Sequence, residues 1–108
     1  MMNPREKRPK RRPTHPGALL REDILPATGL TQTELAAMLG VSRRTVSEIV
    51  NERRSVTTDV AHRLARTFDT SPEFWLRLQQ SVDLWETLQE HQDEYARMSP
   101  ATVALRLS

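Results

Sequence analysis

Apolar residues recur along the middle of the chain at spacings of three and four, the period of an amphipathic helix. Five such stretches lie between Gly17 and Leu88, and they are separated by Gly, Pro or a Ser or Thr that can cap a helix. β-branched residues do not alternate with polar ones in any run, so no strand is predicted. The pattern therefore predicts an all-α fold of five helices, with its core between residues 17 and 88.

Turn and capping residues set the expected bounds of the first two helices. The first is expected over residues 17–25, because Pro26 follows and disfavours a continuing helix. Thr31 and Glu34 have the spacing of a capping box, which predicts the start of the second helix. Gly40 is expected to end that helix, since glycine tolerates the left-handed conformation of a helix C-terminus.

Three more helices are expected, each preceded by a Ser or Thr that can cap its first turn. They are the third from Arg43 to about Glu52 after Ser42, the fourth after Thr57 or Thr58, and the fifth from Pro72 after Ser71. The fifth meets no helix breaker before Pro100. If it runs to about Ala96, it is ~37 Å long at 1.5 Å per residue, more than so small a domain can cover.

The second and third helices have the pattern of a helix-turn-helix. Ala36 is small where the two helices would cross, Gly40 supplies the turn, and Val46 and Ile49 would pack back onto the second helix. These spacings fix a geometry, whereas an ordinary helical hairpin would carry Ala and Gly there only by accident. The motif predicts DNA binding, with the third helix in the major groove.

The outward side chains of that third helix are the candidates for reading DNA. Arg43 and Arg44 are favoured for base contacts, because a guanidinium fork can bond O6 and N7 of guanine together. Glu48 could accept from a cytosine or could pair with Arg44 four residues earlier, and both possibilities stay open. Helix N-termini and flanking arginines suit phosphates. The full candidate set is Gln32, Ser42, Arg43, Arg44, Thr45, Ser47, Glu48, Asn51, Arg53 and Arg54.

The surplus apolar face of the fifth helix predicts a homodimer. Two-fold symmetry would place two recognition helices ~34 Å apart on a palindromic site. Phe74 and Leu78 could instead complete the core of the single chain, which leaves Val82, Trp85 and Leu88 as the stronger interface candidates. The candidate dimer interface is Phe74, Leu78, Val82, Trp85 and Leu88.

Charge is arranged in blocks, although the net charge of the 108 residues is only +2. Residues 1–16 carry six Lys or Arg against one acid, residues 43–66 carry six against three, and residues 67–94 carry one against seven. This division indicates nucleic acid at one surface and a different partner at another. A chain of this length is expected to form one domain.

The ends of the chain are expected to lie outside that domain. Residues 1–16 combine four prolines with like charge, which is typical of a disordered basic arm. A phosphate clamp is favoured for the arm over a functionless tail or a segment sensitive to proteolysis or bound by a toxin. The expected division is the arm 1–16, a DNA-binding domain 17–91 with a dimerising helix, and a tail 92–108.

Several functional classes are excluded by composition. The chain has no Cys, its longest apolar run is far too short to span a membrane, and no apolar signal segment follows the basic N-terminus. His15, His62 and His91 are isolated, and no Gly-rich loop or paired-carboxylate motif is present. We therefore expect a cytoplasmic, nucleoid-associated protein that is not an enzyme and holds no cofactor or metal.

The stretch from His15 to Trp85 resembles the HigA-type antitoxins, also called VapI-like, within the lambda-repressor-like helix-turn-helix proteins. The segments HPG, SRRTVSEIVNERR and TSPEFWLRLQ carry the resemblance. It implies a five-helix DNA-binding dimer that represses its own toxin-antitoxin operon and neutralises a RelE-like mRNA endonuclease toxin. A stand-alone repressor without a toxin is the alternative. A small basic reading frame beside the gene would favour the first, and an orphan gene the second.

Overall fold

The computed structural model describes residues 10–101, and these residues form five helices and no strand. The predicted all-α, five-helix fold is therefore confirmed. The helices are α1 (residues 16–28), α2 (Gln32–Leu39), α3 (Arg43–Val50), α4 (Thr58–Phe68) and α5 (Pro72–Ala96). Residues 1–9 of the predicted arm and residues 102–108 of the predicted tail lie outside the described residues.

Helix α1 is longer than the sequence predicted, because it passes through Pro26. It consists of the segments Pro16–Leu19, the π-helical Leu20–Ile24, and Leu25–Thr28. In a regular α-helix the Pro26 ring would meet the carbonyl group four residues earlier. The wider π turn, in which the amide of Leu25 donates to Leu20 O, relieves this conflict. Gly29 then ends the helix in the left-handed conformation.

Ordered structure also begins earlier than the predicted arm boundary at residue 16. His15 is the N-cap of α1, and its Nδ1 accepts the amide N–H of Gly17 at 2.8 Å. His15 and Pro16 are both buried. Part of the predicted arm therefore packs on the domain.

The other helix starts follow the predicted caps. Thr31 and Glu34 form the complete capping box of α2, and Thr57 is the cap that starts α4. Ser42 and Ser71 cap α3 and α5 through the amides of residues 45 and 74. Helix α3 is shorter than predicted, because Glu52 takes a left-handed conformation with φ of 60° just beyond it.

The core lies among the first half of α5 and the other four helices. Its central side chains are fully enclosed and come from α2, α4 and α5: Leu35, Ala61, Leu64 and Trp75. Along α5, burial stops after Val82, and every residue from Gln89 onward is exposed. The helix departs from helical geometry at His91. Within residues 10–101, no helix combines the length and apolar character needed to cross a membrane.

Helix α1 lies directly against the backbone of α3 at Gly17. A Cβ atom at Gly17 would stand 1.8 Å from the carbonyl oxygen of Ile49, far inside van der Waals contact. Only glycine permits this approach, so Gly17 sets the distance between α1 and the helix predicted to read DNA.

Replacing Gly17 by Ala should lower the free energy of unfolding by about 1 to 3 kcal/mol or more, because the added methyl group forces two backbones apart. Urea denaturation of the purified protein measures this. Gly29→Ala is the control, because its methyl group meets no atom within 4 Å and only the φ of +73° is strained. A Gly17→Ala variant that is no less stable than Gly29→Ala would contradict the close approach.

Candidate nucleic-acid interface

The helix-turn-helix pair has the packing that its sequence predicted. Ala36, Val46 and Ile49 are buried between α2 and α3. Gly40 adopts φ of 72° and ψ of 33°, and its amide donates to Ala36 O. Arg63 of α4 also holds the turn, since its Nη1 donates to Leu39 O at 2.9 Å. Sequence reasoning missed Arg63, whose only local signal is its spacing of four from Asp59.

The outward side of α3 brings together most of the predicted DNA-binding residues. Arg44, Glu48 and Asn51 lie at helical spacing, opposite the buried side chains of the helix. Arg43 is exposed at the first position of α3, and 85% of the Arg44 side chain is open to solvent. A fork-shaped cation held this way can reach into a groove without first leaving a buried contact.

Four smaller polar residues of the helix-turn-helix pair are already hydrogen-bonded or only partly exposed. Ser42 Oγ accepts the amide of Thr45 at 3.0 Å and lies 2.9 Å from the Thr45 hydroxyl oxygen. Gln32 is half-buried at the first position of α2. Ser47 is half-buried on α3, where its Oγ lies 3.4 Å from the amide nitrogen of the Asn51 side chain.

Glu48 pairs with two arginines at once. Its Oε1 accepts from Arg54 Nη2 at 2.8 Å and lies 3.5 Å from Arg44 Nε. The hydrogen bond from Arg54 lowers the pKa of Glu48. Pairing with Arg44 was one of the two open possibilities, but the shorter contact is with Arg54. The carboxylate thus draws a loop arginine toward the exposed face of α3.

A second set of ion pairs lies behind the C-terminal end of α3. Arg12 Nη1 contacts Glu52 Oε1 at 2.6 Å, and Arg12 Nη2 contacts Glu86 Oε1 of α5 at 2.7 Å. These contacts, first to Glu86 and then to Glu52, raise the pKa of Arg12. We call this three-residue contact the Arg12 bridge. Sequence reasoning missed it, because its members are 34 to 74 positions apart.

Two further contacts fix the segment that follows α3. Arg21 of α1 donates to Val50 O at 2.6 Å and to Glu52 Oε2 at 3.2 Å. Gln79 of α5 is buried, and its Oε1 accepts the amide of Val56 at 2.9 Å. Burial opposes ionisation of Glu52, but its hydrogen bonds to Arg12 and Arg21 outweigh this and lower its pKa. The end of α3 is therefore tied to both α1 and α5.

The structure contradicts the expectation that one of the five predicted interface residues lies on the surface of α5. Val82 is 1% exposed and belongs to the interior of the single chain, beside His15 and Gln79. Phe74, thought able to complete that interior, is instead 41% exposed. The expected roles of Val82 and Phe74 are therefore exchanged. Val82 lies on the same side of α5 as the buried Trp75, and the hydropathy of the sequence does not reveal which side of the helix faces the core.

The remaining predicted residues form a regular stripe on α5. Phe74, Leu78, Trp85 and Leu88, with Ser81 among them, alternate by four and three positions, the spacing of a helix-pairing seam. Leu78, Trp85 and Leu88 are half-buried. Among residues 10–101, no acceptor lies within hydrogen-bond distance of the enclosed Trp85 Nε1 atom. The spacing of the stripe and its partial exposure leave an apolar face on the outside of α5.

Comparisons with known proteins agree with this geometry. A family model described as Helix-turn-helix matches residues 20–75. The antitoxin GraA in complex with its operator is 44% identical, with a TM-score of 0.80, over 87% of this chain and 95% of that chain. The antitoxin HigA from Pseudomonas aeruginosa, solved with the higBA promoter, is 38% identical, with a TM-score of 0.79, over 82% and 98%.

A third solved structure is an addiction module antidote protein of the HigA family from Coxiella burnetii. It is 36% identical, with a TM-score of 0.78, over 84% of this chain and all of that chain. The chain belongs to the HigA-type helix-turn-helix antitoxin family. A search of curated protein sequences gives no match. The resemblance seen in the sequence is confirmed, and this HigA-type chain shares nearly the full length of its structural neighbours.

The buried cap of this HigA-type domain should make its stability depend on pH. Burial lowers the pKa of His15, so the folded state binds a proton less readily than the unfolded state. The free energy of unfolding should therefore fall as the pH is lowered below about 6.5, where unfolded histidine becomes protonated. Chemical denaturation between pH 7.5 and 5 measures the slope.

His15→Asn should flatten this part of the pH profile, because Asn can cap the helix without titrating. It will also shift the whole curve, since a buried ring is lost. His62→Asn is the matched control, because it makes the same substitution at an exposed residue of α4. If the His15→Asn slope matched that of the unmodified protein, His15 would not be the group responsible.

Proposed function

We propose that this chain is a sequence-specific DNA-binding antitoxin that represses its own operon. The observation that carries the proposal is the exposed arginine face of α3, held on a helix-turn-helix. Its support comes from structural neighbours whose names describe antitoxins with an operator or a promoter. DNA binding would also associate the protein with the nucleoid.

The residues of the interface take different roles. Arg43 and Arg44 contact base edges, because they are exposed at the start of α3 and carry the fork that fits guanine. Gln32 and Ser42 lie where α2 and α3 begin, and their neighbouring backbone N–H groups favour phosphates. Thr45, Ser47 and Asn51 line the same helix. Arg53 contacts the phosphate backbone of the DNA. Arg54 can contact a phosphate only if its hydrogen bond to the Glu48 carboxylate is shared or broken.

The functional unit is a homodimer paired through α5. The stripe of Phe74, Leu78, Trp85 and Leu88 supplies an apolar seam that the single chain leaves partly exposed. An isologous two-fold interface gives a palindromic site with half-sites ~34 Å apart.

The second partner is a RelE-like mRNA endonuclease toxin, encoded beside this gene. The acidic block of residues 67–94, mostly on α5, offers a surface of opposite sign to a basic toxin. This surface lies on a different element from the arginine face of α3, so DNA and toxin need not compete for the same residues. A stand-alone repressor is the alternative, and an orphan gene would support it.

Arg43→Ala/Arg44→Ala should abolish preference for the upstream DNA of the gene while leaving weaker, salt-sensitive binding. Each lost base contact is expected to cost about 1 to 3 kcal/mol at its own base pair. Titration of labelled upstream and random DNA at two salt concentrations measures the ratio of affinities. The charge-matched control is Arg77→Ala/Arg97→Ala, with Arg77 on α5 and Arg97 just beyond its end, and this variant should keep the preference. An unmodified protein with no preference over random DNA would overturn the proposal.

Leu88→Lys should convert the dimer to a monomer, because it places a charge within the apolar seam, at its C-terminal end. Sedimentation equilibrium gives the mass, and the fold should survive since Leu88 lies outside the core cluster. Thr87→Lys adds the same charge one position away, on an exposed face, and should remain dimeric. A dimeric Leu88→Lys variant would move the interface elsewhere.

A further inference from the structure

The Arg12 bridge fixes the start of the described chain, where Lys10 and Arg11 lie, against the domain. Arg12 uses both sides of its guanidinium group, one for Glu52 after α3 and one for Glu86 on α5. The two residues before it, Lys10 and Arg11, are exposed. Contacts on two sides fix both the position and the orientation of the Arg12 side chain, because the guanidinium group is planar and rigid.

The bridge lies next to the end of the predicted recognition helix. Arg12, Glu52, Arg53 and Arg54 line one small pocket together with Glu86. Arg53 and Arg54 are the arginines that follow α3 and are the candidates for phosphate contacts. Lys10 and Arg11 therefore lie at the edge of the DNA-facing surface, close to the groove that α3 would occupy.

We propose that Lys10 and Arg11 bind DNA backbone phosphates beside the base pairs that α3 reads, and that Arg12 is the positioning residue for this contact. The inference rests on the proposed DNA-binding function. Residues 1–11 carry five Lys or Arg against one Glu, so a polyanion is the complementary partner.

Arg12 itself is not the phosphate ligand. Its guanidinium group is already opposed by two carboxylates, and these contacts hold its pKa above the ordinary value. Arg12 also offsets part of the negative charge that Glu52 and Glu86 would present beside the DNA, and Arg21 shares the Glu52 carboxylate. The contribution of Arg12 to binding is therefore indirect, through the placement of its neighbours.

The placement role can be separated from simple charge by replacing Glu86. If only charge matters, loss of the negative Glu86 should strengthen DNA binding. If Glu86 positions Arg12, its loss should weaken DNA binding. We expect Glu86→Ala to weaken operator binding several-fold and to reduce the slope of log K against log salt. Glu90→Ala is the matched control, because it removes the same charge one turn later, from an exposed residue outside the Arg12 bridge.

The phosphate contacts are tested directly with Lys10→Gln/Arg11→Gln. Each lost contact should reduce the salt slope by about 0.9, so the double variant should lose up to about 2. Adding Glu86→Ala to this variant should change the slope little further, because neither of the two residues that Arg12 positions carries a charge any longer. Thermal melting of each variant confirms that it is folded at the assay temperature.

Two results would overturn the inference. One is a Glu86→Ala variant that binds as tightly as Glu90→Ala or more tightly, and the other is a Lys10→Gln/Arg11→Gln variant with an unchanged slope. The second result would leave an acidic protein surface as the partner of the basic residues. Failure of the proposed operator recognition gives a different result, because sequence preference would be absent while the salt slopes on random DNA could still be compared.

Discussion

The arrangement of the DNA-facing surface depends on the close approach of α1 to the backbone of α3. Gly17 leaves no room for a side chain beside the Ile49 carbonyl, so the two helices meet at the smallest distance that their backbones permit. The His15 cap fixes the first turn of α1 at that contact. Recognition side chains are positioned accurately only when the helix that carries them is fixed on its opposite face. The contact between α1 and α3 fixes that face of α3.

The end of α3 is held by polar contacts as well as by the packing of its buried last residues, Ile49 and Val50. Glu52 leaves the helix in a left-handed conformation and accepts from Arg12 and Arg21, while Gln79 holds the backbone of Val56. Arginines lie on both sides of this turn, and carboxylates between them reduce their mutual repulsion. The basic groups can therefore be dense at this surface without opening the fold. Their net excess remains available to a polyanion.

Local features of the structure were predictable from the sequence, and contacts between distant residues were not. Thr31, Gly40 and Ser42 act within three or four residues of themselves, so their roles follow from spacing alone. The prediction ended α1 too early because of Pro26. The sequence did not reveal that the helix can continue through this proline by forming a π turn. Val82 and Phe74 exchanged roles because a long apolar helix has two usable faces. The Arg12 bridge joins three separate segments, and only the fold brings them together.

Helix α5 takes part in both the core and the proposed dimer because its two apolar faces are angularly distinct. Trp75 and Val82 face the interior, whereas Phe74, Leu78, Trp85 and Leu88 follow a neighbouring stripe with helix-pairing spacing. The same helix carries Glu86 of the Arg12 bridge and Gln79, which holds the loop after α3. A partner that displaces α5 would therefore also shift the residues at the end of α3. This gives a physical route by which a protein bound to α5 could alter DNA binding without touching the arginine face.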